Sequence, residues 1–191
     1  MVDVPTDGQN LAVQAARHLQ ALTPDVVGVD LAIRKAIPVA GGMAGGSADA
    51  AAALVACNEL WGLGLGRPEL DRQAVEIGSD VPFLLHGGTA MGTGRGEEVN
   101  PVLARGGYHW VFATADHGLS TAAVYAEFDR LNAGGQVPEP QVDPDLMTAL
   151  RAGDPHALGA ALSNDLTEAA LSLRPELADT LEIGVEAGAL G

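Results

Sequence analysis

The chain has 191 residues, 47% of them hydrophobic, 18% charged and only 4% aromatic, a globular composition with an aliphatic, alanine-heavy core. Its formal charge of −15 argues against nucleic-acid and anionic-membrane partners, because there is no basic footprint to neutralise phosphates. A single cysteine, Cys57, leaves no internal disulfide and no multi-cysteine zinc site. No basic-then-apolar leader and no bilayer-length apolar run occurs, which predicts a soluble, cytoplasmic protein.

Residues 9–22 place Leu11, Ala15, Ala16, Leu19 and Leu22 on one helical face, with Asp7 near the cap position. "VVGVDLAIR" alternates Val27, Val29, Leu31 and Ile33 against smaller or polar residues, the pattern of a half-buried strand. Pro38 ends that segment, a glycine loop follows, and Ser47 sits where an N-cap belongs before a helix over 48–61. "RPELDRQAVEI" predicts a short helix opened by Pro68 and stopped at Gly78. Next come a turn, a short apolar element, and a glycine-punctuated strand or hairpin through about residue 99. "YHWVFATAD" predicts a strand, Ser120 caps a helix to about Leu131, residues 132–145 form a loop, and three or four short helices complete the chain. Strand content gathers before residue 115 and helix content after it, which predicts an α+β protein with a boundary near residues 104–107.

The loop "GGMAGGS" sets four glycines within residues 41–46, directly before an alanine-rich helix. It lacks the lysine that a P-loop places before the serine, and the G-x-G-x-x-G spacing cannot be laid over it. What remains is the physics of a helix start. Unsatisfied N–H groups carry roughly half a positive charge there, and glycines let a phosphate approach without meeting a Cβ. A chain this acidic would hold a polyanion through such backbone donors, with a divalent cation. Taken alone, however, a glycine loop is more often a tight turn with close helix packing. Likewise, an Asp before a turn, such as Asp80 in "GSDVPF", is most often a helix-end residue, although a carboxylate there is also what a general base requires.

The stretch "PVAGGMAGGSADAAAAL" resembles the second motif of the GHMP kinases, the superfamily of galactokinase, homoserine kinase and mevalonate kinase. "GSDVPFLLHGGTAMGTGRGEE" resembles the corresponding segment of the branch that acts on a cytidine-diphosphate-bearing polyol of the non-mevalonate isoprenoid route. The two motifs occur in the right order, and the resemblance covers nearly the whole chain. It implies a two-domain α+β fold, with an N-terminal part like ribosomal protein S5 domain 2 and a ferredoxin-like C-terminal part. The implied domains are 1–105, binding ATP, and 106–191.

It also implies a phosphate cradle at Pro38, Val39, Ala40, Gly41, Gly42, Met43, Ala44, Gly45, Gly46, Ser47 and Ala48, with ATP and Mg²⁺ as cofactors. Asp80 falls on the family's catalytic aspartate, and Thr121 and Tyr125 fall where the cytidine end of a substrate would lie, although Tyr125 also reads as plain core. Arg95 is open between facing a phosphate and facing solvent. Asp49 reads as structural, stabilising the helix start. Ala40, Ala44 and Ala48 stand where the family often has Gly, Gly and Ser, so Ser47 and the backbone would carry more of the phosphate contact. The family's first motif, P-x-K-x-N, and its third, S-G-S-G-P-T, do not occur in the sequence. The expectation is therefore a fragment truncated at both ends and inactive alone, either from such a kinase, from another GHMP small-molecule kinase, or a nucleotide-binding remnant.

Overall fold

A computed structural model describes residues 4–23, 25–38, 41–115, 117–135, 137 and 139–191. The chain divides into two units, Met1–Val102 and Leu103–Gly191. The cradle residues Val39 and Ala40 lie outside the described residues.

The first unit is built on helix α1 (Leu11–Leu22) packed against α2 (Gly45–Leu60), with α3 (Arg67–Ile77) and the short α4 (Val81–His86) alongside. Its core is mostly alanine. Ala12, Ala15, Ala16 and Leu19 of α1 meet Ala50, Ala51, Ala53, Leu54 and Cys57 of α2, and Leu70, Ala74, Val81 and Leu85 complete the cluster. Small side chains let the helix axes approach closely, so few aromatics are needed to fill the space. The inward face of α1 is rotated from the expected one, since Ala12 is buried while Leu22 is 56% exposed. Asn10 rather than Asp7 caps the helix, its side chain accepting from the Ala12 N–H at 2.9 Å. Buried Asn58 exchanges two hydrogen bonds with the Leu65 backbone and so pins the turn from α2 into α3.

The expected hairpin is present: β1 (Ala90–Thr93) runs antiparallel to β2 (Glu98–Pro101), with Gly92 opposite Val99. Residues 26–37 are a correction. They run extended but belong to no ladder, because the only sheet among the described residues is this two-stranded one. Their period-2 pattern is kept only in part. Val29, Leu31, Lys35 and Ile37 are half-buried and Asp30, Ala32 and Arg34 exposed, but Val27 and Ile33, on the expected inward face, are exposed as well.

In the second unit α5 (Thr121–Leu131) packs on α8 (Thr167–Leu173), α6 (Pro144–Ala152) on α7 (Pro155–Ala161), and α9 (Glu176–Glu186) follows α8. Ser120 caps α5 as expected, and Asp143 and Asp154 cap α6 and α7. The Glu127 carboxylate accepts from Arg130 and from the Ser172 hydroxyl, which joins α5 to α8 and holds its pKa down to about 2. The second correction lies at "YHWVFATAD". Among its described residues no ladder forms, and Trp110, Val111 and Phe112 are exposed. A strand is defined by hydrogen bonds to a neighbour, and no described segment supplies one.

Candidate functional site

Two helix starts converge on one cleft of about 180 Å³, walled by Asn10 and Leu11 of α1, by Lys35 and Pro38, and by Gly45, Gly46 and Asp49 of α2. Helices of 12 and 16 residues both present their positive ends there, which favours an anion. The α2 start has no side-chain cap, so the first N–H groups of the helix have no side-chain partner.

Helix α2 begins at Gly45, with Ala44 as its N-cap residue. Ser47 is therefore the third helical residue and not the cap, a shift of the helix start by three residues from the expected 48. The cause is in the loop. Ala44 adopts a left-handed conformation (φ 49°, ψ 30°), and that turn feeds Gly45 and Gly46 directly into helical geometry. A left-handed alanine carries a Cβ–carbonyl conflict of about 1–2 kcal/mol. Ala44→Gly is therefore expected to raise stability by about 0.5–1 kcal/mol after the glycine's larger unfolded-state entropy is counted. A denaturant midpoint that fails to rise would contradict this.

The two glycines at the helix start serve different purposes. A Cβ on Gly45 would stand 2.9 Å from Cγ2 of Ile37 and 3.3 Å from the Lys35 ammonium, so Gly45 is required by the close approach of segment 26–37. At Gly46 a Cβ would meet only Leu11 Cδ1 at 3.5 Å, an ordinary contact. Gly46 is exposed on the cleft.

Lys35, which the sequence does not assign to the site, lines the cleft. Its ammonium donates to the Asp49 carboxylate at 2.5 Å and to the Gly45 carbonyl at 3.2 Å, with both side chains under a quarter exposed. Asp49 thus forms an ion pair across the cleft wall in addition to lying near the helix start. Parity alone does not place Lys35 there, since Val27 and Ile33 share its parity and are exposed.

Asp80 immediately precedes α4, and its side chain makes no capping hydrogen bond. The carboxylate is exposed, while Val81 and Pro82 behind it are buried. The bland role for an Asp before a helix is thus not the one this side chain performs. At the other end of α4, His86 pairs with Asp71 of α3 at 3.2 Å. Arg95 turns to the surface, where Glu97 accepts from the Arg95 backbone N–H at 2.6 Å and lies 3.7 Å from the guanidinium. Thr121 and Tyr125 share the exposed face of α5 at i, i+4 spacing; Tyr125 is 55% exposed, which corrects the preferred reading of it as core. Cys57 is fully buried, and burial raises its thiol pKa.

Residues 10–88 match the family described as the GHMP kinases N terminal domain. The sequence is closely similar to 4-diphosphocytidyl-2-C-methyl-D-erythritol kinases. It is 59% identical over 188 residues to that of Nocardia farcinica, 58% over 188 residues to that of Thermobifida fusca, and 60% over 190 residues to that of Streptomyces avermitilis. Each match covers 98% of this chain but 61%, 61% and 63% of the relative, so the chain spans about three fifths of their length. A crystal structure titled 4-(cytidine 5'-diphospho)-2C-methyl-D-erythritol kinase matches with a TM-score of 0.67 and 28% identity, covering 93% of this chain and 62% of that one. The α+β GHMP kinase fold expected from the sequence is the fold observed. No helix among the described residues is long and apolar enough to cross a membrane.

Proposed function

We propose that this chain carries the phosphate cradle and catalytic carboxylate of an ATP-dependent kinase that phosphorylates the 2-hydroxyl of 4-diphosphocytidyl-2-C-methyl-D-erythritol. The observation that carries the reading is the cleft that two helix starts face; Asp80, exposed and capping nothing, belongs to the same unit but is not among the residues that wall the cleft. The names of the relatives supply the substrate. On this reading residues 1–105 form the ATP-binding domain and 106–191 the second domain.

The triphosphate would lie against the N–H groups before and at the start of α2, where the helix starts supply the positive field and the Lys35 ammonium is already paired with Asp49. Asp80 would accept, or hold in line, the proton of the attacking hydroxyl. Phosphoryl transfer asks little covalent chemistry of the protein, so positioning and charge stabilisation carry the rate. Thr121 and Tyr125 would face the cytidine end, the hydroxyl donating and the exposed ring offering a stacking face.

A magnesium ion fits the donors present. Asp49 is the one carboxylate on the cleft wall, and Mg²⁺ is commonly held by one or two carboxylates together with substrate phosphates. No protein cage of three or more His, Cys, Asp or Glu exists among the described residues. The ion, when bound, would neutralise charge on the phosphoryl oxygens. In a chain of net charge −15 that neutralisation should decide affinity. Calorimetry should show ATP binding at least tenfold weaker after chelation of divalent metal, one decade being about 1.4 kcal/mol. Equal affinity with and without Mg²⁺ would count against the cradle.

A further inference from the structure

We propose that His86 and Asp71 are positioning residues for Asp80: their side-chain bond fixes the rotation of α4 and so aims the carboxylate at its other end. The inference rests on the reading of Asp80 as the catalytic carboxylate.

Helix α4 has six residues, fewer than two turns, and a helix that short has no stability of its own. Burial of Val81, Pro82 and Leu85 holds it down, but apolar contact is non-directional and restrains rotation weakly. The one side-chain hydrogen bond that ties α4 to another element, among the described residues, is His86 Nε2 to Asp71 Oδ2 at 3.2 Å. Both side chains are about three quarters withdrawn from solvent, and the second Asp71 oxygen is buried without a partner. Such a carboxylate is costly to keep, and surface exposure does not explain it. What the pair does is couple α4 to α3 at a defined angle.

Asp80 lies six residues before His86, about 9 Å along the axis. Its carboxylate sits about 5 Å from that axis, so about 10° of slack in the helix moves it by about 1 Å. A misplacement of about 1 Å can cost roughly 10²-fold in rate. Losing the clamp should therefore lower turnover without touching the nucleotide cleft.

The test uses a polypeptide that carries this sequence together with the family's first and third motifs. Expected are a kcat about tenfold lower in His86→Ala and in Asp71→Ala, an unchanged KM for ATP, and a double variant no worse than either single one. His86→Gln, whose amide nitrogen falls near the position of Nε2, should restore most of the lost rate. An unchanged kcat in His86→Ala, or a loss that only follows the folded fraction and that His86→Gln fails to repair, would overturn the positioning role. Asp80→Asn separates the two layers. Turnover lost in Asp80→Asn but kept in His86→Ala defeats the positioning role alone, whereas full turnover in Asp80→Asn defeats the catalytic reading and the positioning role with it.

Discussion

Asp80→Asn should lower turnover by roughly 10²-fold or more, the scale of a positioned acid–base group, while ATP affinity changes little. Asparagine preserves the shape and some hydrogen bonding but removes the charge. The fold should tolerate it, because the Asp80 side chain is exposed and caps nothing. Steady-state kinetics in the motif-complete polypeptide, with ATP affinity measured separately, read both quantities. The natural control is Asp49→Asn. Asp49 pairs with the half-buried Lys35, so its loss should appear in stability and in the ATP cleft before it appears in the chemical step. Should Asp49→Asn abolish turnover while Asp80→Asn remains near wild type, the two carboxylates have exchanged roles.

Gly46→Val should weaken ATP binding by at least tenfold, about 1.4 kcal/mol, and leave the unit folded. The argument rests on what each Cβ would meet. At Gly46 the space next to Leu11 is ordinary contact, and the branched side chain would project into the cleft. At Gly45 the same change collides with Ile37 and should damage the packing itself. Comparing the two by calorimetry and thermal midpoint separates a phosphate cradle from a packing turn. Unchanged ATP affinity in a folded Gly46→Val protein would reduce the loop to the turn that such glycines more often make.

The helices were legible in the sequence because their determinants are local. Ser120, Pro68 and Gly78 mark ends that the structure keeps. The start of α2 was misplaced because the cap is a left-handed alanine, and no side-chain preference announces a backbone conformation of that kind. The strands were less legible for a different reason. Alternation in 26–37 correctly gives an extended segment but only half of its expected inward face, since Val29 and Leu31 are half-buried while Val27 and Ile33 are exposed; a ladder depends on a neighbour that a local pattern does not contain. The same holds for Trp110, Val111 and Phe112, whose strand-forming composition meets no partner among the described residues. Lys35 reads from the sequence as a poor substitute for the family's motif lysine, and its contact with Asp49 depends on how its segment lies against α2, which no local pattern states. Asp80 stood out through the family motif alone; only the geometry shows that its carboxylate is not engaged as a cap.

The most direct test of the central claim is the product of phosphoryl transfer. The motif-complete polypeptide is given ATP, Mg²⁺ and 4-diphosphocytidyl-2-C-methyl-D-erythritol, and ³¹P NMR locates the new phosphomonoester. The account predicts a phosphate on the 2-hydroxyl of the erythritol unit, with ADP formed in equal amount. Transfer to homoserine or mevalonate in preference to this substrate, or ATP binding with no transfer to any of the three, would contradict it.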